Sequence, residues 1–135
     1  MLISNSVTGY NPDNDRLTHA FQLTESAINH QLNITLVFVG TDEIFILNNQ
    51  LRNKSNPTDV ISLPFDQYDG EVYICPEYIT QQGYDDTRIL HLWVHGLLHI
   101  AGYTHDDDAT FEKMSSLESQ ILKQLNIADP YHESH

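Results

Sequence analysis

The twelve residues ILHLWVHGLLHI, 89–100, restrict the fold more than any other stretch of this chain. At helical spacing, Ile89, Leu90, Leu92, Trp93, Val94, Leu97, Leu98 and Ile100 surround the axis almost completely, and a helix apolar all round is stable only where protein covers it. Other elements must therefore enclose it. Asp85 and Asp86 stand at its amino end, where carboxylates suit the helix dipole, and Gly102 stands where a left-handed residue stops a helix.

The covering elements follow from the flanking patterns. Pro12 after Asn11, followed by Leu17, Phe21, Leu23, Ile28 and Leu32, predicts a helix over about 12–30. LNITLVFVG, 32–40, predicts a buried strand ending at glycine, and Thr41 and Asp42 cap a second helix through Leu51. PTDVISLPF, 57–65, and EVYICP, 71–76, predict two short strands of one sheet, paired or side by side across the turn-rich DQYDG segment. DDDATFEKMSSLESQILKQL, 106–125, predicts the last helix, with acids at its start and Lys123 near its end. A length of 135 residues suits one core and is short for two, so the expectation is a single domain over 1–135 with a loosely held DPYHESH tail.

Charge narrows the function. Six Lys and Arg against 19 Asp and Glu leave a net charge of −13, which repels polyanions at long range and argues against non-specific nucleic-acid binding. MLISNSVTGYN lacks the features of a secretory signal, and no apolar run approaches the roughly 20 residues that span a bilayer, so a cytoplasmic location is expected. Cys75 is the single cysteine, which leaves an internal disulfide impossible and any metal site to histidine and carboxylate.

Histidine is concentrated where such a site would be built. His95 and His99 lie four residues apart, about 40° of rotation and ~6 Å of rise on a helix, so one ion can touch both. His91 continues the same face but stands ~12 Å from His99 along the axis, too far to share that ion, and is read as a core residue or a partner to a ligand. Gly102 lets the chain turn back so that His105 supplies the third nitrogen. HxxxHxxGxxH is the ligand spacing of one clan of zinc peptidases, and it predicts one zinc per chain. In those peptidases a glutamate follows the first histidine as general base. Here Gly96 stands there, so the expected reaction leans less on a protein base. His19 and His30 are read as surface residues of the first helix, and His132 and His135 as solvated tail residues.

Three segments, HLWVHGLLHIAGYTH at 91–105, LNNQLRNKSNPTDVISLP at 47–64 and MSSLESQILKQLNIADPY at 114–131, resemble the YbeY family of bacterial rRNA maturation factors, regarded as single-strand-specific metallo-endoribonucleases. The resemblance implies an α+β fold of helices on a mixed sheet of about four strands, with a central metal-bearing helix. It also implies zinc on His95, His99 and His105, and a functional arginine at Arg52, catalytic and substrate-binding. Arg52 and Lys54 are the close pair of cations in this acidic chain, and a guanidinium suits bidentate phosphate recognition. The implied substrate is single-stranded RNA, in maturation of the 16S rRNA 3′ end and ribosome quality control, with ribosomal subunits or a basic ribosomal protein as partners. A zinc metallopeptidase-like hydrolase and a non-catalytic ribosome assembly factor with structural zinc are the alternatives. The chain departs from the family pattern at Leu51, usually aromatic, at Leu63 within Ser62-Leu63-Pro64, at Glu71, and at Thr104, where the aspartate before the third ligand is usual.

Overall fold

Ile34, Leu36 and Phe38 alternate with Asn33, Thr35 and Val37, and the first set is buried while the second is not, as for a strand whose two faces meet different surroundings. The computed structural model, which describes residues 1–104 and 106–127, builds that strand into a mixed sheet. The strands are β1 (Leu2–Asn5), β2 (Asn33–Phe38), β3 (Val60–Asp66) and β4 (Asp69–Ile74), in spatial order β1-β2-β4-β3. β1, β2 and β4 run parallel, and β3 returns antiparallel along β4.

The described residues also form five helices: α1 (Asn14–Ile28), α2 (Thr41–Arg52), α3 (Pro76–Gln81), α4 (Asp86–Ile100) and α5 (Asp108–Gln124). α4 is the helix read as apolar all round, and it lies between the sheet on one side and α1 and α5 on the other. Trp93 has no exposed surface, its indole N–H donates to the Leu17 carbonyl at 3.0 Å, and its ring stacks on Phe21. The α+β architecture is the expected one. On the opposite face of the sheet a smaller core of Val39, Ile44, Ile61 and Cys75 holds α2, with Tyr78 of α3 packed against it.

Several boundaries differ from expectation. The Asp13 carboxylate accepts from the Arg16 N–H at 3.2 Å and so caps α1, which leaves Pro12 ahead of the helix. The strand expected over 71–76 ends at Ile74, because Pro76 has no N–H for a ladder and opens α3 instead. His19 is exposed on α1, whereas His30 lies beyond the end of that helix and stacks on Tyr68 with 3.6 Å between ring centroids. The readings made for His105, His132 and His135 lie outside the described residues.

Two carboxylates set where the last two helices begin. Asp85 accepts from the Thr87 N–H at 3.0 Å and from its hydroxyl, and Asp107 accepts from the Thr110 N–H at 2.9 Å while Thr110 Oγ1 accepts from the Asp107 N–H. The Thr87 hydroxyl chiefly holds the Asp85 carboxyl below its ordinary range, and the Thr110 N–H chiefly does so for Asp107. Groups depressed on folding contribute stability above the unfolded carboxyl value of about 3.9, and that contribution disappears as pH falls through the lower folded values. Asp107→Asn keeps an acceptor but removes the titration. Its melting temperature should therefore fall less steeply than that of the unmodified chain as pH drops below about 4, as thermal scans across that window would show, and parallel curves would refute the capping role.

Candidate metal centre

A helix repeats its face every three to four residues, so α4 places His91, His95 and His99 in one stripe, and the structure turns that stripe toward α5 and the end of β3. The Nε2 atoms of His95 and His99 lie 3.0 Å apart, with the two rings nearly perpendicular. Two nitrogens bound to one tetrahedral zinc at ~2.0–2.1 Å stand ~3.3 Å from each other, so this pair has the spacing of two ligands of a single ion.

Behind the pair is a carboxylate with no exposed surface. Glu118 of α5 meets His95 Nδ1 at 2.5 Å through one oxygen and His91 Nε2 at 3.2 Å through the other. Arg88, one turn earlier on α4, reaches His91 Nδ1 from the far side at 3.1 Å, and its second terminal nitrogen stands 3.6 Å from Asp59 Oδ2. His91, His95 and Glu118 also offer one ligand atom each within 4.8 Å of one another, so the described residues include a His-His-Glu group that could hold a metal ion.

The outer faces of the two histidines open on a cavity of about 310 Å³ lined by Arg52, Thr58, Asp59, Val60, Ser62, His95 and His99. Arg52 is therefore brought to the imidazoles from a distant part of the chain. It is the last residue of α2, which stops at Asn53 in the left-handed conformation with φ 53°. The following loop is tied down by buried Asn48, whose amide donates to the Asn56 carbonyl at 2.7 Å. Lys54, paired with Arg52 in the sequence reading, is exposed, and the described lining of the cavity does not include it.

Glu118, Asp59 and Arg88 were not singled out from sequence. A signal for Glu118 exists: it falls four residues after Met114 and four before Leu122, on the buried stripe of α5, and a charge on an apolar stripe stands there for a partner.

The family model described as Endoribonuclease YbeY matches residues 10–126. The chain belongs to the YbeY endoribonuclease family. It is 36% identical over 141 residues to the endoribonuclease YbeY of Francisella tularensis subsp. tularensis strain WY96-3418, covering 90% of this chain and 86% of that protein. The YbeY of Francisella philomiragia is 33% identical over 139 residues, covering 90% and 88%. A Thermotoga maritima protein of known solution structure superposes with a TM-score of 0.60 at 25% identity, covering 98% of this chain and all of that one. The sequence thus places the chain with this family, and its fold is shared with the Thermotoga maritima protein.

YbeY membership also gives meaning to Gly96, where the peptidase pattern has its glutamate. α4 lies so close to the sheet that a Cβ on Gly96 would stand 3.0 Å from Ser62 Oγ and 3.0 Å from Val72 Cγ1. The Ser62 and Val72 side chains of β3 and β4 would have to give way to any side chain there, so packing disfavours the peptidase base that the sequence also lacks. Overpacking a core costs ~1–3 kcal/mol and an unpaired buried carboxylate adds further cost. Gly96→Glu should therefore lose at least about 3 kcal/mol in a urea unfolding titration, and a variant of unchanged stability would show that the sheet yields there.

Proposed function

We propose that this YbeY chain is a zinc-dependent endoribonuclease acting on single-stranded RNA, with His95, His99 and His105 as ligands of one zinc and Arg52 as the phosphate-binding and catalytic cation. The observation that carries the reading is the shared cavity, whose lining includes Arg52 together with two histidines whose Nε2 atoms lie 3.0 Å apart. The donor set suits zinc, which takes imidazole nitrogen and keeps an open position when three protein ligands hold it. We assign the ion to the His95 and His99 side rather than to the His91, His95 and Glu118 group, because Glu118 there serves both imidazoles as a hydrogen-bond acceptor and an ion would replace those bonds.

Bound zinc supplies Lewis acidity to the hydrolysis. The chain's own residues do the rest. Arg52 offers a planar fork of donors that fits two phosphate oxygens, and Lys54 at the exposed end of the same loop adds a second cation for the strand. Neutral imidazoles would leave the charge of a bound ion uncompensated, and together with Arg52 it would outweigh the Asp59 carboxylate on the same wall, making the cavity locally positive on a chain of net charge −13. That contrast favours RNA delivered at close range over RNA captured from solution. It fits work on the ribosome, in 16S rRNA 3′-end maturation and ribosome quality control, with the acidic surface docking on a basic ribosomal protein. In this reading residues 1–135 form one cytoplasmic metallohydrolase domain; among the described residues no helix is long and apolar enough to cross a membrane.

The test separates the metal from the substrate contact. His95→Ala, His99→Ala and His105→Ala should each lose stoichiometric zinc in metal analysis, while His91→Ala keeps it. Arg52→Ala should keep zinc and melting temperature yet cleave single-stranded RNA roughly 10²-fold or more slowly, the scale of removing one electrostatic stabiliser. Arg52→Lys should recover part of the rate, because an ammonium keeps the charge and loses the fork. Full RNA cleavage by Arg52→Ala would remove the clamp, and zinc-loaded protein that binds ribosomal subunits without cutting RNA would favour the assembly-factor reading.

A further inference from the structure

Hydrogen-bond direction around Glu118 can be followed residue by residue. A guanidinium only donates, so at 3.1 Å from Arg88 the Nδ1 atom of His91 accepts, and the proton of a neutral His91 ring sits on Nε2. That Nε2–H points at Glu118 Oε2, 3.2 Å away. The other oxygen of the carboxylate, likewise an acceptor, takes the Nδ1–H of His95 at 2.5 Å. With its proton on Nδ1, His95 turns the lone pair of Nε2 toward His99 and the cavity.

We infer that Glu118 is the positioning residue of this centre: backed by Arg88 through His91, it fixes His95 in the Nδ1–H tautomer and so presents Nε2 as a ligand atom. Arg88 is well placed to act as the anchor. One terminal nitrogen is on His91, the other faces Asp59 at 3.6 Å, and the guanidinium carbon lies 4.7 Å above the Tyr84 ring. Asp59 and His95 both line the cavity, so the chain Asp59, Arg88, His91, Glu118, His95 begins and ends on its wall. The tautomer is a property of the protein itself; its consequence for metal affinity rests on the ligand assignment proposed above.

The arrangement makes an unusual demand on Glu118→Gln. A carboxamide has one acceptor oxygen and one donor nitrogen. Because Arg88 obliges His91 to donate through Nε2, His91 takes the oxygen, and the amide nitrogen is left facing His95 Nδ1. That reverses His95 to the Nε2–H tautomer and blocks its ligand atom. Removing the Arg88 donor frees His91 to reverse in its place.

Ring-nitrogen NMR of the full chain, stripped of metal, should therefore show Nε2–H on His91 and Nδ1–H on His95. Glu118→Gln should show Nε2–H on His95 and bind zinc about 10- to 100-fold more weakly, the usual scale for losing a ligand's hydrogen-bond partner. Arg88→Met alone should keep the His95 tautomer, and the Glu118→Gln, Arg88→Met pair should recover part of both the Nδ1–H population and the zinc affinity. A lost packing contact predicts no such rescue, since the double variant is then the worse one. The reverse tautomers in the unmodified chain overturn the inference without any variant having to fold, as does a double variant binding zinc no better than Glu118→Gln. Should the unmodified chain bind no zinc while its tautomers are as stated, the metal assignment fails and the positioning by Glu118 stands.

Discussion

A carboxylate with no access to water is tolerated only where donors converge on it, and Glu118 meets that condition by lying between two imidazoles of the neighbouring helix. The contact ties α5 to α4 at the level of the candidate ligands. Apolar packing around Met114, Ile121 and Leu122 fixes how closely the two helices approach, and the polar contact fixes their register, because a slip of one turn would move the carboxylate off both rings. Much of what makes the cavity chemically competent follows from that register: ring orientation at His95, the direction of its proton and the placement of His99 beside it.

How much of this was legible in the amino-acid order depends on the range of the interaction. α4 announced itself, since an apolar belt around a helix has one physical solution, and the spacing of His95 and His99 carried their meeting without any tertiary information. Arg52 was found by resemblance and by charge contrast, and its arrival at the imidazoles is a matter of topology that no local pattern contains. β1 went unread because Leu2–Asn5 is too short and too exposed to show alternation and owes its strand to pairing with β2. α3 went unread because six residues give no periodicity. Glu118 was hidden because the imidazoles it meets stand on another helix, and Asp59 and Arg88 by the ordinary look of isolated charges.

Close approach of α4 to the sheet has two effects at once. It leaves little space for a side chain at position 96, against Ser62 and Val72, where the peptidases carry their glutamate. It also brings Ser62, paired with Val72 across β3 and β4, to the wall of the cavity on which the histidines open. The peptidase-like ligand spacing is thus set in surroundings unlike a peptidase's, with glycine after the first histidine and an arginine on the wall of the same cavity, and this illustrates why a ligand motif and a reaction are separate inferences.

The two cores give the two walls of the cavity unequal footing. His95 and His99 stand on α4, enclosed by the large core, whereas Arg52 ends α2, which rests on the small core of Val39, Ile44, Ile61 and Cys75 and leaves Phe45, Ile46 and Leu51 exposed. Local opening free energy follows the apolar surface an element buries, and α2 has less of it to oppose opening than α4. The cavity therefore joins an imidazole wall seated on the large core to an arginine wall seated on the small one, and this asymmetry comes from nothing more than an uneven division of hydrophobic residues between the two faces of one sheet.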